Sequence, residues 1–561
     1  MSPSLHRRSA ILLLPLGLLL TPLIASAAPT GPAMPAGCQP SWSVLRHGPS
    51  GSAAARDNGH IACSVLTGKA VSEPSLTVTR KGTIVGTPFG DENTELRSTD
   101  GARTVTVTRP ALQQRTALWN TVDAYLTSDP RTGRLYMSRV TGPTRTTPIL
   151  VDNSPLPGGV STAAAAAYGL ELYTSGDEGR TWATADYTTT PIGDWTKIFT
   201  APQPRTSAVR SRSGSIVYAC GNSPFEAVGP GRLCLKSLDD GATFTPAGYV
   251  FPSPQVPGVC MPLAANNGTA APDGSIYQPV SCTNGSYVAA STDEGATYTY
   301  HLVPGVPGSG LAISGFSWQI AADSTGVVYG TWADGTGLHL TVSRDHAHSW
   351  STPLLMTAPG QTSVTLPQLA AGGHGQMGVV YYASEKAGAP QTPWITQAAN
   401  AETAHPTFLS GPIDDPRHPR FVDGGLSGPS PRADYLGASF DTHGQLWGYV
   451  VRQTSAPDAN NKIGTVGILG HLAAIPQPSG SGRSTAAPPR ARGPRSASPG
   501  LAATGLAQLP AVTGGLLLVV GVTLRRFRRY PSQPSLRRPQ QLLSRLPKGL
   551  RCVTHPGSAS S

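Results

Sequence analysis

The 561-residue chain is 39% apolar and only 13% charged, with 64 glycines and 54 prolines, a balance that excludes a protein built on long helices and equally a disordered polyelectrolyte. Its formal charge of +11 is carried by the ends: residues 475–561 hold thirteen Lys and Arg and no acidic residue, and the leader adds Arg7 and Arg8. The remaining body has 27 basic against 31 acidic residues, which removes nucleic acid from the expected partners.

At the N-terminus His6-Arg7-Arg8, an apolar run over 10–20 and Ala25-Ser26-Ala27 have the form of a secretory signal peptide spanning 1–27. Residues 28–70 follow as an N-terminal extension. Export implies an oxidising compartment, and the body holds an even number of cysteines: Cys38, Cys63, Cys220, Cys234, Cys260 and Cys282. Neighbours stand 25, 14 and 22 residues apart, so three sequential disulfides are expected among fifteen possible connectivities. No spacing reads as a metal site, and there is no phosphate loop or nucleophile elbow, so neither metal nor cofactor is expected.

The centre of the chain repeats itself. The pattern Ser-x-Asp-x-Gly-x-Thr-aromatic occurs as Ser175-Gly176-Asp177-Glu178-Gly179-Arg180-Thr181-Trp182. It returns with Ser237, Asp239, Gly241, Thr243 and Phe244, and again with Ser291, Asp293, Gly295, Thr297 and Tyr298. Worn copies are Ser343, Asp345, Ser349 and Trp350, and Ser98, Asp100 and Thr104. An Asp that accepts backbone N–H groups, a Gly free to take positive φ and tying hydroxyls make a turn between strands, with the aromatic covering the layer beneath.

A second turn series centres on Gly82, Gly133, Gly214, Gly274, Gly326, Gly375 and Gly444, each followed by β-formers. Together the two series mark units that begin near residues 72, 119, 205, 265, 317, 366 and 434. Four strands per unit predict an all-β fold, a β-propeller of six or seven four-stranded blades over 71–474.

Beyond it, 475–500 is a Pro/Ser/Arg-rich linker that cannot bury a core, 501–529 contains an uncharged stretch closed by Arg525-Arg526-Phe527-Arg528-Arg529, and 530–561 is a basic tail. As a helix, 506–524 would reach about 28 Å, enough for one transmembrane helix with the body outside. The pentapeptide Leu501-Ala502-Ala503-Thr504-Gly505, placed before an apolar segment and a basic stop, resembles the LAxTG sorting signal of high-GC Gram-positive bacteria. That resemblance implies cleavage by a sortase between Thr504 and Gly505 and attachment to the cell wall. Plain membrane anchoring through the C-terminal helix is the other reading, and both place the body outside the cell.

The Ser-x-Asp-x-Gly-x-Thr-aromatic repeat resembles the Asp box, and a propeller carrying several of them resembles the sialidase superfamily over roughly residues 70–472. The resemblance implies Asp boxes on the face away from the ligand site. In sialidases that site uses an arginine trio, a Tyr paired with Glu, and an acid/base Asp. The element matching the family's first Arg-Ile-Pro reads Ser72-Glu73-Pro74 here. A serine cannot grip a carboxylate as a guanidinium fork does, and Glu73 beside it repels an acidic sugar. The expected function is therefore a non-catalytic module for an extracellular glycan or protein ligand, with an exo-acting glycoside hydrolase as the alternative. Polar residues at the starts of inner strands are the site candidates: Asp123, Gln319, Arg432, Asp434 and Tyr435. Among them Asp123, Arg432 and Tyr435 are those with catalytic chemistry, Arg432 and Tyr435 as an anion-holding cation beside a phenol.

Overall fold

The computed structural model describes residues 38, 40–49, 54–89, 95–108, 121–141, 169–187, 196–223, 231–251, 255–256, 260, 267–308, 318–334, 337–386, 389–416, 435–454 and 465–475. Residues 1–27, read from the sequence as a signal peptide, the residues beyond 475, among them Leu501, Ala502, Thr504 and Gly505 read as a sorting signal, and the stretch 506–524 lie outside them. Among the described residues no helix is long and apolar enough to cross a membrane.

Every described element is a strand. Runs such as Ile276–Cys282 and Met377–Ser384 are buried at every position, as strands are when both faces of their sheet are covered. The strands form five sheets of four or five strands and one of nine, in a propeller-like arrangement. The five small blades cover residues 72–108, 121–184, 186–251, 269–302 and 319–355, each an antiparallel meander to which blade 3 adds the parallel pair Asp186–Tyr187.

The nine-stranded sheet consists of two further meanders joined edge to edge. One runs from Ser363–Ala371 to Phe408–Pro412, the other is Gly437–Phe440, Leu446–Gln453 and Thr465–Leu472. Residues read from the sequence as an extension ahead of the propeller enter this sheet. Ala55–Leu66 pairs antiparallel with Thr465–Leu472 as the fourth strand of the last meander, and Ser41–His47 bridges it to Phe408–Pro412. The last meander thus joins the two ends of the body, Cys63 lying opposite His471.

The first strands of these meanders are Ser72–Val78, Thr121–Ser128, Lys197–Pro202, Thr269–Ala270, Gln319–Ala322, Ser363–Ala371 and Gly437–Phe440. Each contacts the next in this order, and the last contacts the first, so they close a ring. Apolar clusters fill the spaces between neighbouring sheets. Tyr136, Leu172, Val217 and Phe244 meet between blades 2 and 3, and Tyr277, Val288, Trp318 and Val328 between blades 4 and 5.

In an up-and-down meander, the turns after the first and the third strands lie at the same end. Both repeated turn series therefore crowd one end of the molecule, called the turn end below; the first strands start at the opposite, entry end. The seven glycines of the series Gly82 to Gly444 all have positive φ. In the Ser-Asp-Gly-Thr turns one hydrogen-bond set recurs: Ser175 Oγ donates to Asp177 Oδ1 (2.8 Å), the Gly179 N–H donates to Ser175 Oγ (3.0 Å), and Thr181 Oγ1 donates to Asp177 Oδ2 (2.6 Å). The same contacts are made around Asp239, Asp293, Asp345 and Asp100.

The three disulfides are Cys38–Cys63, Cys220–Cys234 and Cys260–Cys282, the sequential pairing expected from spacing. Cys220 and Cys234 are direct cross-strand partners, and Cys38–Cys63 fastens the chain just before Ser41–His47 to the strand that closes the last meander.

Candidate functional site at the entry end of the channel

Three of the seven first strands are irregular in their entry halves. The pairing of Ser72–Val78 slips between Ser72 and Ser75, where Glu73 has φ 45° and precedes Pro74. Thr121–Ser128 slips between Val122 and Ala124, leaving Asp123 as the extra residue. Ser363–Ala371 slips between Thr365 and Gln368, where Leu366 has φ 50° and precedes Pro367. Such bulges re-aim side chains, and a non-glycine residue at positive φ costs about 1–3 kcal/mol that the surrounding fold must offset.

Tyr435, two residues ahead of the first strand of the last meander, reaches past blade 1 to blade 2. Its hydroxyl donates to the Ala124 carbonyl at 3.2 Å. The Lys197 Nζ, from the first strand of blade 3, sits 3.7 Å from the Tyr435 ring centroid and 4.8 Å from that of Tyr125. The two rings meet edge-on at 5.8 Å. Lys197 is 1% exposed and Tyr435 2% exposed, so the ammonium is held in a desolvated aromatic clamp, where each such contact is worth about 2 kcal/mol. Burial raises the Tyr125 phenol well above the usual tyrosine value, and a hydrogen bond with Gln368, from the first strand of the sixth meander, pulls it partly back. Residues from four meanders therefore converge on the axis.

From Tyr125 and Gln368 of this cluster a cavity of about 1070 Å³ runs to the turn end. Small side chains line it, among them Ala201, Ala270, Ala321, Ala370 and Ala438 from five first strands, and its far rim includes Arg80, Arg131, Asp323 and His443. Tyr125 and Gln368 line the cavity and can meet a ligand's hydroxyl, whereas Lys197 and Tyr435 do not line it and are packed within the cluster. The cluster is less suited to nucleophilic attack, because the Tyr435 hydroxyl donates to a backbone carbonyl, which cannot take its proton.

Of the sequence candidates, Tyr435 lies at the heart of this cluster. Asp123 occupies the bulge beside Ala124, its side chain outside the described residues, and Arg432 and Asp434 lie wholly outside them. Gln319 is buried at the start of its strand. Lys197, Tyr125 and Gln368 were not singled out in the sequence; Lys197 opens its strand, but Tyr125 and Gln368 lie midway along theirs, and only the ring brings the three together. A Tyr, Glu and Arg set does exist elsewhere. Tyr173 donates to Glu171 Oε2 at 2.5 Å with the Arg139 guanidinium 6.0 Å from the ring, but all three are buried between blades 1 and 2 and none lines the cavity. Cys38, Cys63 and His471 also approach one another, yet the two sulfurs form a disulfide and offer no thiolate to a metal.

No family model and no curated protein matches the chain. Among solved structures it is similar to a protein of unknown function from Dyadobacter fermentans (14% identity, 67% of this chain and 99% of that one, TM-score 0.40). It is similar also to a virginiamycin B lyase from Staphylococcus aureus (12% identity, 74% and 99%, TM-score 0.40) and to a leech intramolecular trans-sialidase (13% identity, 72% and 68%, TM-score 0.37).

Proposed function

We propose that this chain is an exported seven-bladed propeller of the sialidase-like, Asp-box type, and that it binds an extracellular glycan or protein ligand at the entry end without turning it over. It is displayed on the cell surface through the C-terminal segment, joined to the wall at Thr504 or held by the apolar stretch 506–524. The observation that supports the binding reading is Tyr435: the phenol is 2% exposed, bonded to a backbone carbonyl and stacked on Lys197. The serine at position 72 points the same way, since the family's carboxylate-gripping arginine is missing there.

The test is a glycan array probed with the full chain, alongside a panel of fluorogenic glycosides. Binding without turnover is the expected result. Turnover that disappears in Tyr435→Phe would establish the exo-glycosidase alternative instead. Mass analysis of wall-released fragments tests attachment, with a fragment ending at Thr504 as the expected product.

A further inference from the structure

The turn end carries an uneven distribution of charge. The Gly turns of blades 1 to 3, residues 79–83, 129–134 and 203–214, contain Arg80, Arg131, Arg134, Arg205, Arg210 and Arg212, whereas the corresponding turns of the other four meanders contain no Lys or Arg. Five of these arginines are exposed and Arg134 is half-buried. They form one continuous surface. Arg80 Nη1 donates to the Arg131 carbonyl at 2.9 Å, and the Arg131 guanidinium lies over Gly214 so closely that a Cβ there would come within 2.8 Å of it. Arg134 packs over Gly176 of the neighbouring Ser-Asp-Gly turn.

Among the described residues none of the six arginines has a carboxylate within ion-pair distance. Most of the acidic groups nearby are engaged elsewhere, although the buried Asp240 Oδ1 has no hydrogen-bond partner. Asp129 is buried within its own turn, Glu178 lies 3.6 Å from Lys81 and accepts from Thr79, and Glu294 bonds Lys236 at 2.8 Å. Six guanidiniums gathered on one surface repel one another, and an anionic counterpart from outside would relieve that repulsion.

We propose that the turn end of blades 1 to 3 is a second binding surface, for a linear acidic polysaccharide whose recurring carboxylates are held by the forks of these arginines. Guanidinium forks match carboxylates, and the exposed Thr132 and Thr206 between them offer hydroxyl partners to sugar hydroxyls. The three turns carry no aromatic residue on which a nucleobase could stack, which favours a glycan over single-stranded nucleic acid. This surface lies at the opposite end from the Tyr435 cluster and does not depend on the reading of that site.

The test is hydrogen exchange on the full chain with polygalacturonate as the probe at low salt, read turn by turn because the basic tail also attracts polyanions. Slower exchange is expected at 79–83, 129–134 and 203–214, with none at 323–327 or 441–445. The triple variant Arg80→Ala, Arg131→Ala, Arg212→Ala loses that protection, and its slope of log affinity against log salt falls by about three. Arg344→Ala, a cation on the far side of the ring, behaves as the parent. Should the triple variant fail to fold, the single exposed Arg80→Glu still lowers affinity by about fivefold or more. Protection confined to residues beyond 475, equal protection by single-stranded DNA or neutral dextran, or a triple variant that binds as the parent does overturns the proposal.

Discussion

Glu294 Oε2 lies 2.8 Å from Lys236 Nζ and thereby ties the Ser-Asp-Gly turn of blade 4 to the third strand of blade 3. The residue after each turn's Asp, held at φ near 60°, makes the equivalent reach in other copies. Glu178 accepts from Thr79 of blade 1, the Asp240 carbonyl accepts from Thr174 of blade 2, and His346 Nδ1 lies 2.9 Å from the Tyr277 hydroxyl of blade 4. The repeat thus does more than reverse the chain: its backbone conformation aims one side chain or carbonyl at the preceding blade.

The Glu294–Lys236 pair is mostly shielded, so truncating one partner leaves the other poorly solvated. Lys236→Met is expected to cost about 1–3 kcal/mol in urea denaturation, and a double-mutant cycle with Glu294→Gln should return a coupling of about 1 kcal/mol. Burial raises the Glu294 carboxyl, but hydrogen bonds from Lys236, Ser207 and Gln203 outweigh it and leave the pKa lowered. Its contribution is therefore present above the unfolded-state value and is lost as pH falls through the lower folded one. Additive single mutants would show that the contact is incidental.

The turn glycines and the alanines that replace them are not equivalent. Gly241 has φ 82°, and a Cβ there would meet Tyr136 Cε1 at 2.9 Å, so Gly241→Ala combines left-handed strain with overpacking, together about 2–4 kcal/mol. At the same point of the blade 5 turn Ala347 already stands at φ 67° and is fully buried. Ala347→Gly relieves about 1 kcal/mol of strain but removes a buried methyl worth about 0.8 kcal/mol, leaving stability nearly unchanged. Thermal denaturation of the two variants checks the asymmetry, and a Gly241→Ala protein as stable as the parent would refute it.

Local chemistry explains what could be read from the sequence. A Ser-Asp-Gly-Thr turn closes within eight residues, so its spacing survives as a string, and the unit starts near 72, 119, 265, 317, 366 and 434 fall within four residues of the observed first strands, whereas the start near 205 falls in the turn after Lys197–Pro202. Ring closure left no such trace, because Cys63 pairs with His471 across the whole body and residues 55–66 resemble any other amphipathic strand. Lys197 was invisible for a related reason: its partners Tyr125 and Tyr435 come from two other blades, and only the ring brings them together.

Glu95 is 2% exposed and accepts a hydrogen bond from Trp182 Nε1 at 2.9 Å. Burial pushes its pKa up to about 8, against the smaller opposing effects of Trp182 and Arg139. Between its ordinary value and about 8 the folded state holds a proton that the unfolded chain has released. Stability therefore falls as pH rises across that interval, the sign opposite to Glu294. Glu95→Gln keeps an acceptor for Trp182 and removes the titration, so the variant should gain on the order of 4 kcal/mol over the parent at pH 8 and almost nothing at pH 4.5. Parallel stability curves for the two proteins would exclude Glu95 as the source.

His471 governs the opposite limb. It is fully buried, its Nε2 lies 2.7 Å from Gln445 Oε1 and its ring 4.5 Å from that of Trp447, and burial lowers its pKa to about 3. The unfolded imidazole takes a proton near its ordinary value while the folded one refuses it, so stability is complete above that value and declines as pH falls toward 3. The strain falls on the sheet that joins the two ends of the body, since His471 faces Cys63 on Ala55–Leu66. Acid should therefore open this closure before the small blades. Hydrogen exchange at pH 5, corrected for intrinsic rates, is expected to rise first at 55–66 and 465–472, while 276–291 in blade 4 stays protected. His471→Gln, which cannot titrate, should abolish that early opening. Simultaneous opening of all the sheets in the parent would mean that the ring fails as one unit and that His471 is a passive core residue.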